Sequence, residues 1–124
     1  MVETVAAEVA ARLVETKNSD AARREALRIA SGKRGTTQLS ADLVVLVSVV
    51  VQVCAVAVGA ANLIAGFVKR SKEEQIIEIL RRIEENTGDS SLATDQKLKE
   101  IASVAIDVIS ENSTTQKTNH RNEA

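Results

Sequence analysis

LVVLVSVVVQVCAVAVGAANLIAGFV, residues 43–68, is a run of 26 residues without a charged side chain, in a chain of 124 whose other parts are dense in charge. Asp42 closes the run on one side, and Lys69, Arg70 and Lys72 close it on the other. Three structures suit such a run. Its ten valines between Val44 and Val68 favour extended backbone in water, so two buried strands are one option. Strands need partners and tight turns, however, and the remaining segments repeat their apolar residues at helical spacing, while no turn residue interrupts the run before Gly59. The second option is a central helix buried on all sides in a soluble bundle, about 39 Å long at a rise of about 1.5 Å per residue. The third is a transmembrane helix, since about 20 apolar residues cross a hydrocarbon core of about 30 Å. Valine's weak helix propensity matters little there, because lipid leaves backbone groups nothing to bond but each other. The leading expectation is the membrane-spanning helix, with the buried soluble helix as its alternative.

Within the run, the residues that are polar or small fall on one line. Ser48, Gln52, Ala55, Gly59, Asn62 and Gly66 are spaced 4, 3, 4, 3, 4, which places them on one narrow helical face. Small residues let two helix backbones approach closely, and Gln and Asn amides hydrogen-bond across the gap. The row therefore reads as a helix-packing seam: a contact with the chain's own amphipathic helices in a soluble bundle, or a homo-oligomer whose rows face each other or line a polar pore. Two amides and one hydroxyl per helix make a thin pore lining, which favours the seam.

Working outward, Ser40 is placed to cap the central helix, and Gly32, Gly35 and the polar residues Thr36, Thr37 and Gln38 mark a linker of about eight residues before it. Upstream, Val2, Val5, Ala6, Val9 and Leu13 predict an amphipathic helix over 2–15, and Ala22, Ala26 and Ile29 or Ala30 a second over 20–30, capped by Asn18 or Ser19. Downstream, Ser71 and Glu74 have the spacing of a capping box, and Gly88 is placed to end the helix that they begin. A last helix is expected over 91–110. The pair is expected to be antiparallel, with Ile76, Ile79, Leu80 and Ile83 facing Leu98, Ile101, Ala105 and Val108. From Asn112 onward the chain offers nothing to pack and reads as a disordered tail. The fold class is thus all-α, about five helices, divided as residues 1–41, 42–70, 71–111 and 112–124.

Composition closes several doors. Sixteen Lys and Arg stand against 17 Asp and Glu, so no field exists to grip a polyanion, and one Phe without Trp or Tyr leaves no stacking platform; nucleic acid is not an expected partner. One Cys and one His cannot form an internal disulfide or a closed zinc site, so no metal and no cofactor is expected. Cys54 reads as a small core residue and His120 as solvated. The pairs Glu73 with Glu74 and Glu84 with Glu85 read as helix-surface charges. SGKRGTT (31–37) lacks the order of a phosphate loop, and the NST triplet at 112–114 decides nothing about glycosylation. No nucleophile, base and oxyanion set can be assembled, so no catalytic residue is assigned and the chain is not expected to be an enzyme. The amino terminus is acidic where a cleaved signal peptide would be basic. Five basic residues flank the run on each side over 23–42 and 69–88, so the positive-inside count ties. The functional expectation is a self-associating helical membrane protein that presents the 71–110 helix pair to a protein partner; the alternative is a soluble, cytoplasmic interaction module.

Overall fold

The computed structural model describes residues 1–33, 39–88 and 95–123, with side chains as far as Asn112. The fold is all-α: α1 (Val2–Leu13), α2 (Ser19–Ala30), α3 (Ala41–Leu63), α4 (Lys72–Thr87) and α5 (Gln96–Glu123), with short 3₁₀ turns at Thr16–Asn18 and Phe67–Lys69. Among the described residues there is no strand. Of the expected linker, residues 34–38 lie outside the described residues, as do 89–94.

One apolar core is shared by all five helices. Val5, Val9 and Ala10 of α1, Ala22 and Ala26 of α2, Val50 and Val53 of α3, Ile79 of α4 and Ile101 of α5 are sealed within it. The α1–α2 contact is built largely from alanines, which lets these two helices lie close. Polar ties hold the shell. Arg12 Nη2 donates to Glu111 Oε2 at 2.6 Å, and Lys72 Nζ to Asp107 Oδ1 at 2.9 Å. Glu25, only 3% exposed, pairs with Arg28, which also donates to the Lys33 carbonyl at 3.0 Å. The Glu111 carboxylate holds the Arg12 guanidinium above its ordinary pKa, and Glu25 does the same for Arg28.

Helix ends follow local chemistry. Ser40 Oγ accepts from the Leu43 amide at 3.4 Å and Ser71 Oγ from the Glu74 amide at 3.2 Å, so both serines cap their helices, while of the expected box at Ser71 and Glu74 only this serine half forms. Gly88, in the left-handed conformation, ends α4. Gly32, at φ +71°, ends α2: its amide bonds to the Ile29 carbonyl and the Lys33 amide to the Arg28 carbonyl, each at 3.0 Å. That pair of bonds is a Schellman motif, which needs a residue free to take positive φ.

Several helix ends differ from expectation: α1 stops at Leu13 rather than at residue 15, because Val14 turns extended. Asn18 stands at the N-cap of α2, as one of the two expected candidates, but makes no side-chain cap bond; the Ser19 hydroxyl donates back to the Thr16 carbonyl at 2.8 Å, closing the preceding turn. The central helix stops at Leu63 rather than Val68, because Ile64 turns extended and Gly66 takes φ +76°. α5 begins at Gln96, where Asp95 Oδ1 accepts from the amides of Lys97 at 2.8 Å and Leu98 at 3.2 Å; a carboxylate satisfying two orphan donors fixes the start. At its other end the α5 backbone continues to Glu123, beyond Asn112 where the apolar repeat ends.

Candidate functional site

The buried arc of α3 comprises Val47, Val50, Val53, Cys54, Ala57, Val58 and Ala60. At 100° per residue these positions point toward one side, and the row of small and polar residues points the opposite way. Gln52, Ala55 and Asn62 are exposed, and Ser48 and Gly59 are half-buried. Val45, 63% exposed, and Leu63, 79% exposed, extend the same surface toward the two ends. The row therefore lies mainly outside the core, with Ala55 and Gly59 bordering α4. Gly66 leaves it, since it stands in the turn beyond the helix end, and five of the six expected members share the face.

This outer face carries no charge from Leu43 to Leu63, whereas the outer surfaces of α2 and α4 carry Arg23, Arg24, Arg81 and Glu85. α3 is long and apolar enough to cross a membrane by length and composition, yet only 39% of its most apolar stretch is buried in the bundle. A shallow depression of about 280 Å³ lies on this face, where Ala55, Val56 and Gly59 meet Arg82, Glu85 and Asn86 of α4. A Cβ built on Gly59 meets no neighbouring atom within 4 Å. The Ser48 hydroxyl donates to the Val44 carbonyl at 2.9 Å, so its lone pairs remain as acceptors. Arg82 Nε lies 3.5 Å from Glu78 Oε1, an ion-pair distance without the alignment of a hydrogen bond.

The other expected residue set lies inside. Ile79, Leu80 and Ile83 of α4 and Leu98, Ile101, Ala105 and Val108 of α5 are buried, and Ile76 is half-buried against the same core. Since α3 joins that core, these residues are committed to the fold, and the exposed Ile77, at 65%, is the large apolar residue that α4 shows to solvent. Cys54 is fully buried. The side chains of Ser113, Thr114 and His120 lie outside the described residues. Among those described, no group of three His, Cys, Asp or Glu is placed to hold a metal ion.

Sequence reasoning missed one feature, a cleft of about 610 Å³ at the C-terminal end of α3, lined in part by Phe67, Lys69, Arg70, Lys72, Ile106 and Asp107. Its parts come from residues 61–75 and 106–110, and no local spacing joins them. No protein-family model, no curated protein and no solved structure matches this chain.

Proposed function

We propose that this protein is a non-enzymatic, self-associating helical module whose α3 outer face pairs with the same face of a second copy. The observation that carries the proposal is the row Ser48, Gln52, Ala55, Gly59, Asn62, outside the core and uncharged. Turned antiparallel about Ala55, the row matches itself: the bulky Gln52 lies over Gly59, the Asn62 amide lies beside the acceptor oxygen of Ser48, and Ala55 meets Ala55. A twofold pair is self-complementary in this way by symmetry, and close backbone approach needs small residues at its centre. The row itself brings no charged side chain to the contact, and Arg82 and Glu85 of α4 stand beside its centre.

A second reading is favoured by the length of α3. Its 23 residues span about 35 Å, enough to cross a hydrocarbon core of about 30 Å. In the packed bundle α3 lies against charged helices, so insertion requires α2 and α4 to release it first.

The experiment is the mass of the full chain in detergent-free buffer, for wild type and Gly59→Leu. Wild type should run as a dimer. Gly59→Leu should be a folded monomer, because leucine is a better helix former than glycine and finds open space in the single chain. Recovery of wild type only in a carbonate-resistant membrane pellet would favour insertion, and a compact wild-type monomer at all concentrations would refute pairing.

A further inference from the structure

The cleft at the end of α3 has a chemistry of its own, independent of how copies pair. The chain makes it by breaking the apolar run: Ile64 turns extended, Gly66 adopts φ +76°, and Phe67–Lys69 form a 3₁₀ turn. That turn sends Phe67 inward, 3% exposed, and leaves Val68, Lys69 and Arg70 outside. Gln75, itself buried, fastens the turn to α4 by donating Nε2–H to the Phe67 carbonyl at 2.8 Å. α5 supplies the opposite wall with Ile106 and Ile109, and the Lys72–Asp107 ion pair at 2.9 Å bridges α4 and α5 there.

The result is an apolar floor beneath a cationic rim. Three cations, Lys69, Arg70 and Lys72, meet one anion, Asp107, which Lys72 already engages. Lys69 and Arg70 form no ion pair among the described residues. Two uncompensated cations at the mouth of an apolar cleft select a ligand with one anionic end and one apolar end. Arginine in particular binds a phosphate or carboxylate through two parallel N–H donors. A cleft of about 610 Å³ falls within the range of small-molecule sites, about 300–1,000 Å³. We infer that this cleft binds a single-chain anionic amphiphile as a monomer, its head held by Lys69 and Arg70 and its chain laid against Phe67, Ile106 and Ile109.

The test is calorimetric titration of the full chain with dodecyl phosphate below its micelle concentration, beside inorganic phosphate, dodecanol, and vesicles with and without acidic phospholipid. Saturable one-to-one binding of dodecyl phosphate is expected, weakened about tenfold or more in Lys69→Gln/Arg70→Gln by loss of charge-assisted hydrogen bonds. Both residues are exposed, so the unfolding temperature should not change. Val68→Asp, which sets a carboxylate in the lining, should weaken binding likewise without unfolding the chain. Wild-type affinity in the double variant, equal binding of dodecanol, or binding to acidic vesicles without binding to the monomeric amphiphile would each overturn the inference. Saturable binding of inorganic phosphate alone at the same affinity would overturn it too, since the apolar floor would then contribute nothing.

Discussion

Arg12 and Glu111 are 99 residues apart in sequence, and the Arg12 Nη2 and Glu111 Oε2 atoms are 2.6 Å apart in space, joining the first helix to the last. The pair is open to water, with side chains 38% and 58% exposed. Exposed pairs contribute about 0–1 kcal/mol. Arg12→Ala should therefore lower stability by about 1 kcal/mol at most, and urea titrations should show the loss shrinking in high salt.

Glu25 behaves differently because it is buried. Arg28→Ala removes its guanidinium partner and also the donor to the Lys33 carbonyl that steadies the end of α2. Arg28 is itself only partly exposed, and the loss should exceed that of Arg12→Ala. Arg24→Ala, on the exposed face of the same helix, should change stability by about 0.5 kcal/mol or less in the same titration.

Much of the fold was legible in the sequence wherever one residue decides a local outcome. Ser40, Ser71 and Gly88 mark helix ends through bonds they make within a few residues, and the 3.6-residue period of Ile79, Leu80 and Ile83 shows which side of α4 is apolar. Asp95, two residues before Lys97 and three before Leu98, marks the start of α5 by the same local chemistry. Other features depend on distant partners. The spacing of Ser48, Gln52, Ala55, Gly59 and Asn62 shows that they share a face, but not what that face meets; its outward direction follows only from how α1, α2, α4 and α5 pack on the other side. Gly66 fits the spacing yet lies in a turn, because a glycine can continue a row or break it. The cleft joins Arg70 to Asp107 across a chain reversal that no window of sequence contains.

Leu80 is 2% exposed within the core that α4, α5 and α3 share. Leu80→Asp would bury a carboxylate without a partner, at a cost of several kcal/mol, comparable with the stability of a small domain. Amide hydrogen exchange should become fast across α3, α4 and α5 together. Retained protection in α4 would mean that Leu80 faces water.

Cys54 is sealed in the core, so a polar maleimide should leave it unmodified in the native protein and react fully once denaturant is added. The same reagent separates pairing from insertion. If α3 leaves its partners to enter a bilayer, adding vesicles should open a period of labelling before the thiol is protected by lipid; a module that pairs as a folded bundle stays unlabelled throughout.

The central claim, that α3 pairs antiparallel with its copy about Ala55, is tested most directly by oxidative cross-linking of Ala55→Cys in dilute buffer, with Cys54 left in place as a buried, silent thiol. In the proposed pair the two position-55 residues face one another across the twofold axis, within reach of disulfide geometry, about 4.4–6.8 Å between Cα atoms. Ala55→Cys should give a covalent dimer rapidly. Val45→Cys, exposed but far along the helix from the axis, should not, and wild type should remain uncrosslinked. Equal rates for Ala55→Cys and Val45→Cys, or no dimer from Ala55→Cys in a folded chain, would contradict the account.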